Sequence, residues 1–226
     1  MWGELFLDLL LASLVIALSP FPIIAITLVL STPRARANGL AFSGGWLAGL
    51  LAITTVFTLL ADGVEEAAGG GSSAVYLIKL AVGAALLLLA ARKWMKRPKP
   101  GEEPALPGWM ASIEHIVPGR ALVLGLTLAA ANPKNLAFAL VAGAAIASSG
   151  AVGAAEWAAV LIFVLLGSVS VLGAVGFYLL ATDKAASGLA RVKDFMARHN
   201  ALIMAALFAF FGVKLVIDGL AGLMGG

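Results

Sequence analysis

The stretch LAAANPKNLAF, residues Leu128–Phe138, places a proline, a lysine and two asparagines inside a long apolar run. Pro133 removes a backbone N–H donor and breaks a helix, and Asn132 before it is a favoured N-cap residue. The stretch therefore predicts that one helix ends and another begins inside a membrane span. The stretch SPFP, residues 19–22, has the same form and predicts a matching break in the first span.

The composition indicates a membrane protein. Of the 226 residues, 62% are hydrophobic and 12% are charged, whereas a soluble domain carries roughly 25% charge. Six stretches approach the ~20 residues needed to cross a bilayer. They cover 4–30, 39–61, 74–92, 120–148, 155–181 and 200–222. We therefore predict an all-α integral membrane protein of six transmembrane helices, with the first and fourth helices broken.

The positive charges predict the orientation of the chain. Twelve of the 15 Lys and Arg residues follow the first, third and fifth spans, and none lies in the other two connections. Because cytoplasmic loops are enriched in Lys and Arg, we expect a multi-pass protein of the cell (inner or plasma) membrane with both termini extracytoplasmic. The remaining cations, Lys79, Lys134 and Lys214, fall within spans.

Two features of the chain recur at half its length. Pro20 and Pro133 are 113 positions apart, and Trp46 and Trp157 are 111 apart. Because each half has an odd number of spans, the second half would be inverted relative to the first, a plan common in secondary transporters. The predicted units are a first three-helix repeat at 1–92, a cytoplasmic Pro-rich linker at 93–119 and a second three-helix repeat at 120–226.

The polar groups of the two breaks predict an anion site near mid-membrane. Lys134 lies about 21 Å from the inner edge of its span, where a lysine costs about 2.5–3.5 kcal/mol. Helix N-termini offer free N–H groups and partial positive charge, so a carboxylate or phosphate would bind there, oriented by Asn132 and Asn135. Alternatively, the prolines only kink the helices and Lys134 donates to a backbone carbonyl. The predicted substrate-binding residues are Ser19, Pro20, Pro22, Asn132, Pro133, Lys134, Asn135, Lys79 and Lys214.

The other charged groups within spans have simpler interpretations beside the functional one. Lys79 is near the outer end of its span and can snorkel, while Lys214 can pair with Asp218 one helical turn further on. In the functional interpretation, both lysines flank the substrate route. Asp8 can pair with Lys79, gate the exit, or simply lie at the interface.

Two further segments carry structural predictions. Gly45 and Gly49 in GGWLAG form a small-xxx-small pattern, which predicts close helix packing. In the segment SGLARVKDFMARHN, residues 187–200, the apolar residues share one helical face. That segment is either a helix lying on the cytoplasmic membrane surface or a solvated helical connection.

The arrangement resembles the LysE-type exporter superfamily, and more closely its GAP family of Sap-type, peptidoglycolipid-addressing proteins. The resemblance rests on the stretches at 19–49 and 106–140, above all on Asn132-Pro133-Lys134 with a following asparagine. It implies six spans in two inverted triplets and membrane transport, and some members are associated with moving glycolipids to the cell envelope. The amino-acid exporters of the superfamily usually show Pro-Gly-Pro where this chain has Ser-Pro-Phe-Pro, which argues against an amino-acid substrate.

The sequence thus favours a secondary transporter that exports a small anionic or amphiphilic solute, and the resemblance adds a glycolipid to the candidate substrates. Alternatives are a lipid-handling or envelope-assembly component that works with partner machinery, an amino-acid exporter, and a membrane scaffold without transport. No nucleophile–base pair or phosphate loop is present, so we expect no enzyme activity, cofactor or bound metal. The expected partners are membrane lipids and the substrate, not nucleic acid, and a homodimer is left open.

Overall fold

The structure is a computed structural model that describes residues 2–67, 73–95, 97, 113, 115–180 and 182–225. Within these ranges the regular structure is helical throughout, which confirms the all-α prediction. The helices are α1 (Trp2–Ala17), α2 (Pro20–Val29), α3 (Ala35–Ala67), α4 (Ser73–Met95), α5 (Pro118–Ala130), α6 (Pro133–Ser148), α7 (Ala154–Gly167), α8 (Val169–Leu180) and α9 (Thr182–Gly225). Most of the predicted linker at 93–119 lies outside the described residues.

Several of these helices can cross a membrane. In the described part of the chain, three are long and apolar enough to do so alone, at Ala35–Gly63, Val75–Met95 and Ser187–Met224. Two bent pairs, α1 with α2 and α7 with α8, raise the number to five if each pair forms one span. The remaining apolar helices, α5 and α6, are each shorter than a span.

The predicted helix breaks before Pro20 and Pro133 are confirmed, and a further break occurs in the fifth apolar stretch. α1 and α2 meet at a bend of 54°, and α6 begins at Pro133 after α5 has ended at Ala130. α7 and α8 are bent by 59° at Ser168, whose hydroxyl donates to the Val164 carbonyl at 2.6 Å. Gly/Ser pairs and serine bonds to the preceding turn are known causes of such bends, but the proline-based prediction missed this one.

The last helix is longer than the sequence predicted. α9 continues for 44 residues without a break, so residues 187–200 extend the final apolar stretch and do not form a separate surface helix. Strong helix formers (Ala, Leu, Met, Lys and Arg) make up seven of the 14 residues of this segment, and neither a glycine nor a proline interrupts its junction at Asn200. The helix therefore begins 18 residues before residue 200, where the predicted span begins.

Glycines bring two pairs of helices into close contact. α3 packs along α5, and a Cβ atom on Gly45 would lie only 1.9 Å from the Leu122 carbonyl oxygen. α4 packs along α9, where a Cβ atom on Gly83 would lie 2.9 Å from the Val216 backbone nitrogen. Small residues permit such approaches in membranes, where packing and not the hydrophobic effect holds helices together. The close packing predicted for the GGWLAG segment is confirmed.

The two parts of the first broken helix have different neighbours. α1 packs against α6 and α7, whereas α2 packs against α8 and α9.

Trp46 is 1% exposed in the core, but Trp157 is 48% exposed, so these two tryptophans have different surroundings despite their spacing.

Candidate functional site

Both proline motifs begin a helix as predicted, but only one has a side-chain cap. Ser19 and Asn132 precede the prolines with extended backbone angles, φ −66° and ψ 124° for Ser19 and φ −78° and ψ 117° for Asn132. The Asn132 side chain accepts a hydrogen bond from the Lys134 backbone N–H at 3.1 Å. The Ser19 hydroxyl is buried and has no partner among the described residues.

Lys134 satisfies a backbone carbonyl that the first break leaves free. In an unbroken helix the Ser19 N–H would donate to the Val15 carbonyl, but here it donates to Ile16 at 3.2 Å. The ammonium of Lys134 donates to the Val15 oxygen at 2.9 Å. An ammonium at the C-terminal end of α1 is also favoured by the helix dipole. Lys134 in the second half of the chain thus supplies the hydrogen-bond donor that is missing at the break in the first half.

Asn135 has the matching role at the second break. Its side-chain amide donates to the carbonyls of Leu128 and Ala129, at 3.1 and 3.0 Å. In an unbroken helix the Ala129 carbonyl would accept from residue 133, but Pro133 has no N–H to donate. Asn135 is fully buried, and its side-chain oxygen has no partner among the described residues.

These contacts match the simpler alternative for Lys134, a bond to a carbonyl, and are compatible with the functional one. The Val15 bond uses one of the three protons of the ammonium, and no described carboxylate pairs with Lys134, which is 6% exposed. Pro20 and Pro22 are buried in the first turn of α2. The structure therefore has a buried lysine between the two breaks, and its ammonium form has hydrogen-bonding capacity that an anion can use.

The two other predicted lysines meet elsewhere, at the end of the fold where α1 and α4 begin and α9 ends. Asp8 pairs with Lys79 at 3.7 Å and with Lys214 at 3.2 Å, and Lys214 also pairs with Asp218. We call these four residues the outer ion-pair cluster. The predicted Lys214–Asp218 pair is confirmed. The predicted pair of Asp8 with Lys79 is confirmed as well. The pair of Asp8 with Lys214 was missed, since nothing in the order of the residues indicates that α1 and α9 meet there.

Two spaces of different volume border the outer ion-pair cluster. A gap of about 20 Å³, roughly the volume that holds one water, is lined by the cluster together with Ala12, Phe138 and Phe211. The two phenylalanine rings meet edge to face with centroids 5.7 Å apart. Phe138 lies one helical turn beyond Lys134. A larger, open cavity of about 220 Å³, the outer cavity, is lined by Asp8, Lys79, Glu4, Leu5, Ala145, Ser148 and Ser149.

Apolar helices of spanning length, broken helices completed by buried polar side chains and a charge cluster within the helix bundle together define a multi-pass helical membrane protein. The chain matches the model of the Sap, sulfolipid-1-addressing protein, family over residues 9–221, and it belongs to that family. The identification as a Sap-type member of the GAP family is thereby confirmed. No curated protein and no solved structure matches the chain.

Proposed function

We propose that the protein is a secondary transporter of the LysE type that exports an anionic amphiphile by alternating access across the cell membrane, and that it is not an enzyme. The observation that carries this proposal is the buried Lys134, which joins the two broken helices at one point. A charged lysine is costly in a membrane interior and marks functional sites there. The helix starts at Pro20 and Pro133 add partial positive charge to the same region.

The chemistry of the site and the family name together indicate the substrate class. The family is described as sulfolipid-addressing, and a sulfated lipid combines a negative headgroup with apolar chains. Lys134 would bind the headgroup with the protons that Val15 does not use, and Asn132 and Asn135 would orient it. The apolar chains would remain against the exposed helix surfaces, where Leu60 and Leu88 are among the large exposed side chains.

The packing of the helices supports an inverted repeat of six spans with extracytoplasmic termini. If the first span is exchanged with the fourth, the second with the fifth and the third with the sixth, the contacts exchange as well. The contact of α1 and α2 with α7 and α8 corresponds to the contact of α5 and α6 with α3. The contact of α2 with α9 corresponds to the contact of α6 with α4. The α4–α9 contact maps onto itself. Such pseudo-symmetry suits two alternating conformations around a central site.

The membrane potential can supply the driving force. The described residues place no acid beside Lys134 that would carry protons with the substrate. An anion that leaves a negatively charged cell interior gains about 2.3 kcal/mol per charge for each 100 mV. Outward transport of a single-charged lipid is therefore favourable without a coupled ion.

The word "addressing" in the family description favours a second candidate, a lipid-handling component that delivers its ligand to partner envelope machinery. Both candidates need a lipid site, but only the transporter moves the lipid without a partner. Purified protein in vesicles would distinguish them, because transporter activity would appear there as movement of a labelled sulfated lipid between leaflets.

Replacing Lys134 with methionine is expected to weaken binding of a sulfated galactosylceramide at least tenfold and to leave the protein folded. The loss follows from removing the cation, whereas the fold survives because apolar replacement of a buried charge is often neutral or stabilising. Thermal unfolding in nanodiscs measures both effects, since a ligand at a hundredfold excess over its Kd stabilises by about 2.7 kcal/mol.

The unsulfated parent lipid and the variant Lys193→Met, which removes a partly exposed lysine, are the matched controls. The sulfated lipid should stabilise the wild type and Lys193→Met equally and the unsulfated lipid should stabilise neither. Equal stabilisation of the wild type and Lys134→Met by the sulfated lipid would refute the proposed site.

A further inference from the structure

One face of α1 contacts buried or half-buried lysines at two positions along the helix. Asp8 pairs with Lys79 and Lys214, and the Val15 carbonyl accepts from Lys134. Asp8 and Val15 are seven positions apart, which is two helical turns and the same helix face. Ala12, on that face between them, lines the narrow gap. This face of α1 therefore runs from the Lys134 contact to the narrow gap and the outer cavity.

α1 can change its tilt without carrying α2 with it. The two helices are separated by the break at Leu18 and Ser19 and meet at 54°. Pro20 has no N–H to continue the helical bonding, and α1 packs on α6 and α7 whereas α2 packs on α8 and α9. Hinges of moving elements are often a few terminal residues of this kind.

We propose that α1 is the outer gate of the transporter, held shut by the ion pairs of Asp8 with Lys79 and Lys214 and opened when the anionic group of the substrate replaces Asp8 on these lysines. This inference rests on the proposed function and adds its regulation. The outer ion-pair cluster contains two cations and two anions, so an arriving anion competes with Asp8 for cations that are already neutralised.

The ion pairs that hold α1 in place are weak enough to be broken. The side chains of Asp8 and Lys214 are 30% and 27% exposed, and the outer cavity reaches both Asp8 and Lys79. Ion pairs in partial contact with water contribute little individually. The same lysines remain within reach of a headgroup that has passed Phe138, so they form the second, exit binding position for the anion.

The absence of cysteine from the chain allows a direct test. Ala12→Cys places one thiol in the gap, where residue 12 is 4% exposed, and a membrane-impermeant maleimide applied from outside reports whether the gap is open. We expect slow labelling with Asp8 present and at least tenfold faster labelling when Asp8→Asn is added. Asp8→Glu retains the acid and should label slowly.

Two controls separate gating from general loosening. Asp194→Asn removes an exposed acid from the far part of α9 and should leave labelling of the thiol at position 12 slow. Ser148→Cys in the outer cavity should label quickly whether position 8 is aspartate or asparagine. If Asp8→Asn does not label faster than Asp194→Asn, α1 is not held by these ion pairs and the gate is refuted, while binding at Lys134 remains measurable independently.

The substrate is tested with the same thiol. Sulfated galactosylceramide should speed labelling at position 12 in the Ala12→Cys chain that retains Asp8, and the unsulfated lipid should not. No acceleration, with binding at Lys134 intact, would refute the displacement of Asp8 by the anion. No binding at Lys134 would refute the proposed function itself, so the two failures are distinguishable.

Discussion

Replacing Gly45 with alanine is expected to destabilise the protein by at least about 3 kcal/mol, above the usual range for overpacking. The new Cβ atom would lie 1.9 Å from the Leu122 carbonyl oxygen and 3.0 Å from the Leu126 backbone nitrogen. Both atoms belong to the α5 backbone, so no side-chain rotation relieves the clash. α3 and α5 would have to separate along their whole contact, which would remove the packing that holds them together in lipid.

The neighbouring glycine provides a matched control for this change. A Cβ atom on Gly44 would meet nothing within 4 Å, so Gly44→Ala should stabilise the helix by up to about 1 kcal/mol. Gly125→Ala should repeat the loss from the other helix, because its Cβ atom would lie 2.1 Å from the Phe42 carbonyl oxygen. Yield of monodisperse protein and thermal unfolding report the effect, and a Gly45→Ala protein that melts with the wild type would contradict the packing described for α3 and α5.

Replacing Asn135 with leucine is expected to be the most damaging change within the candidate site itself. Leucine has nearly the same shape but leaves the carbonyls of Leu128 and Ala129 without their donor. A buried acceptor left unsatisfied costs about 1–3 kcal/mol, so the pair should cost about 2–6 kcal/mol. The midpoint of thermal unfolding should fall by roughly 5–20 °C for a chain of this length.

Asn132→Ala is the comparison for this variant, because it removes a polar group of the same kind three positions earlier. It loses one N-cap bond, to the Lys134 N–H, and should cost only about 1 kcal/mol. If both asparagine variants lose the same small stability, the Asn135 amide does not complete the second break, and its side chain becomes available for substrate alone.

The sequence predicted the positions of the first two breaks because proline acts locally. Pro20 and Pro133 lack the N–H that would continue the preceding helix, and this effect does not depend on distant residues. The bend at Ser168 has no such cause, since Gly167 and Ser168 are tolerated in many straight helices and their effect depends on packing. The pattern GGWLAG predicted close packing, but only the position of α5 shows that Gly45 requires a glycine and Gly44 does not.

The partners of the charged groups could not be predicted in the same way. A sequence shows that Lys134 needs compensation in the membrane, but the Val15 carbonyl is a backbone atom that any residue would provide. Asp8 meets Lys214 from 206 positions away, and this contact depends on how α1 and α9 pack. Residue types therefore indicated the candidate residues of the site, and tertiary packing divided them between the two breaks and the outer ion-pair cluster.

The bond between Lys134 and Val15 spans 119 positions of the chain, which has a consequence for biogenesis. The ribosome delivers the first span to the bilayer well before Lys134 has been synthesised. Until then the Val15 carbonyl lacks the donor that it has in the folded protein, and a backbone group left unpaired in lipid costs several kcal/mol. The first half of the chain therefore reaches its final hydrogen bonding only after the second half, with Lys134, has been inserted into the membrane.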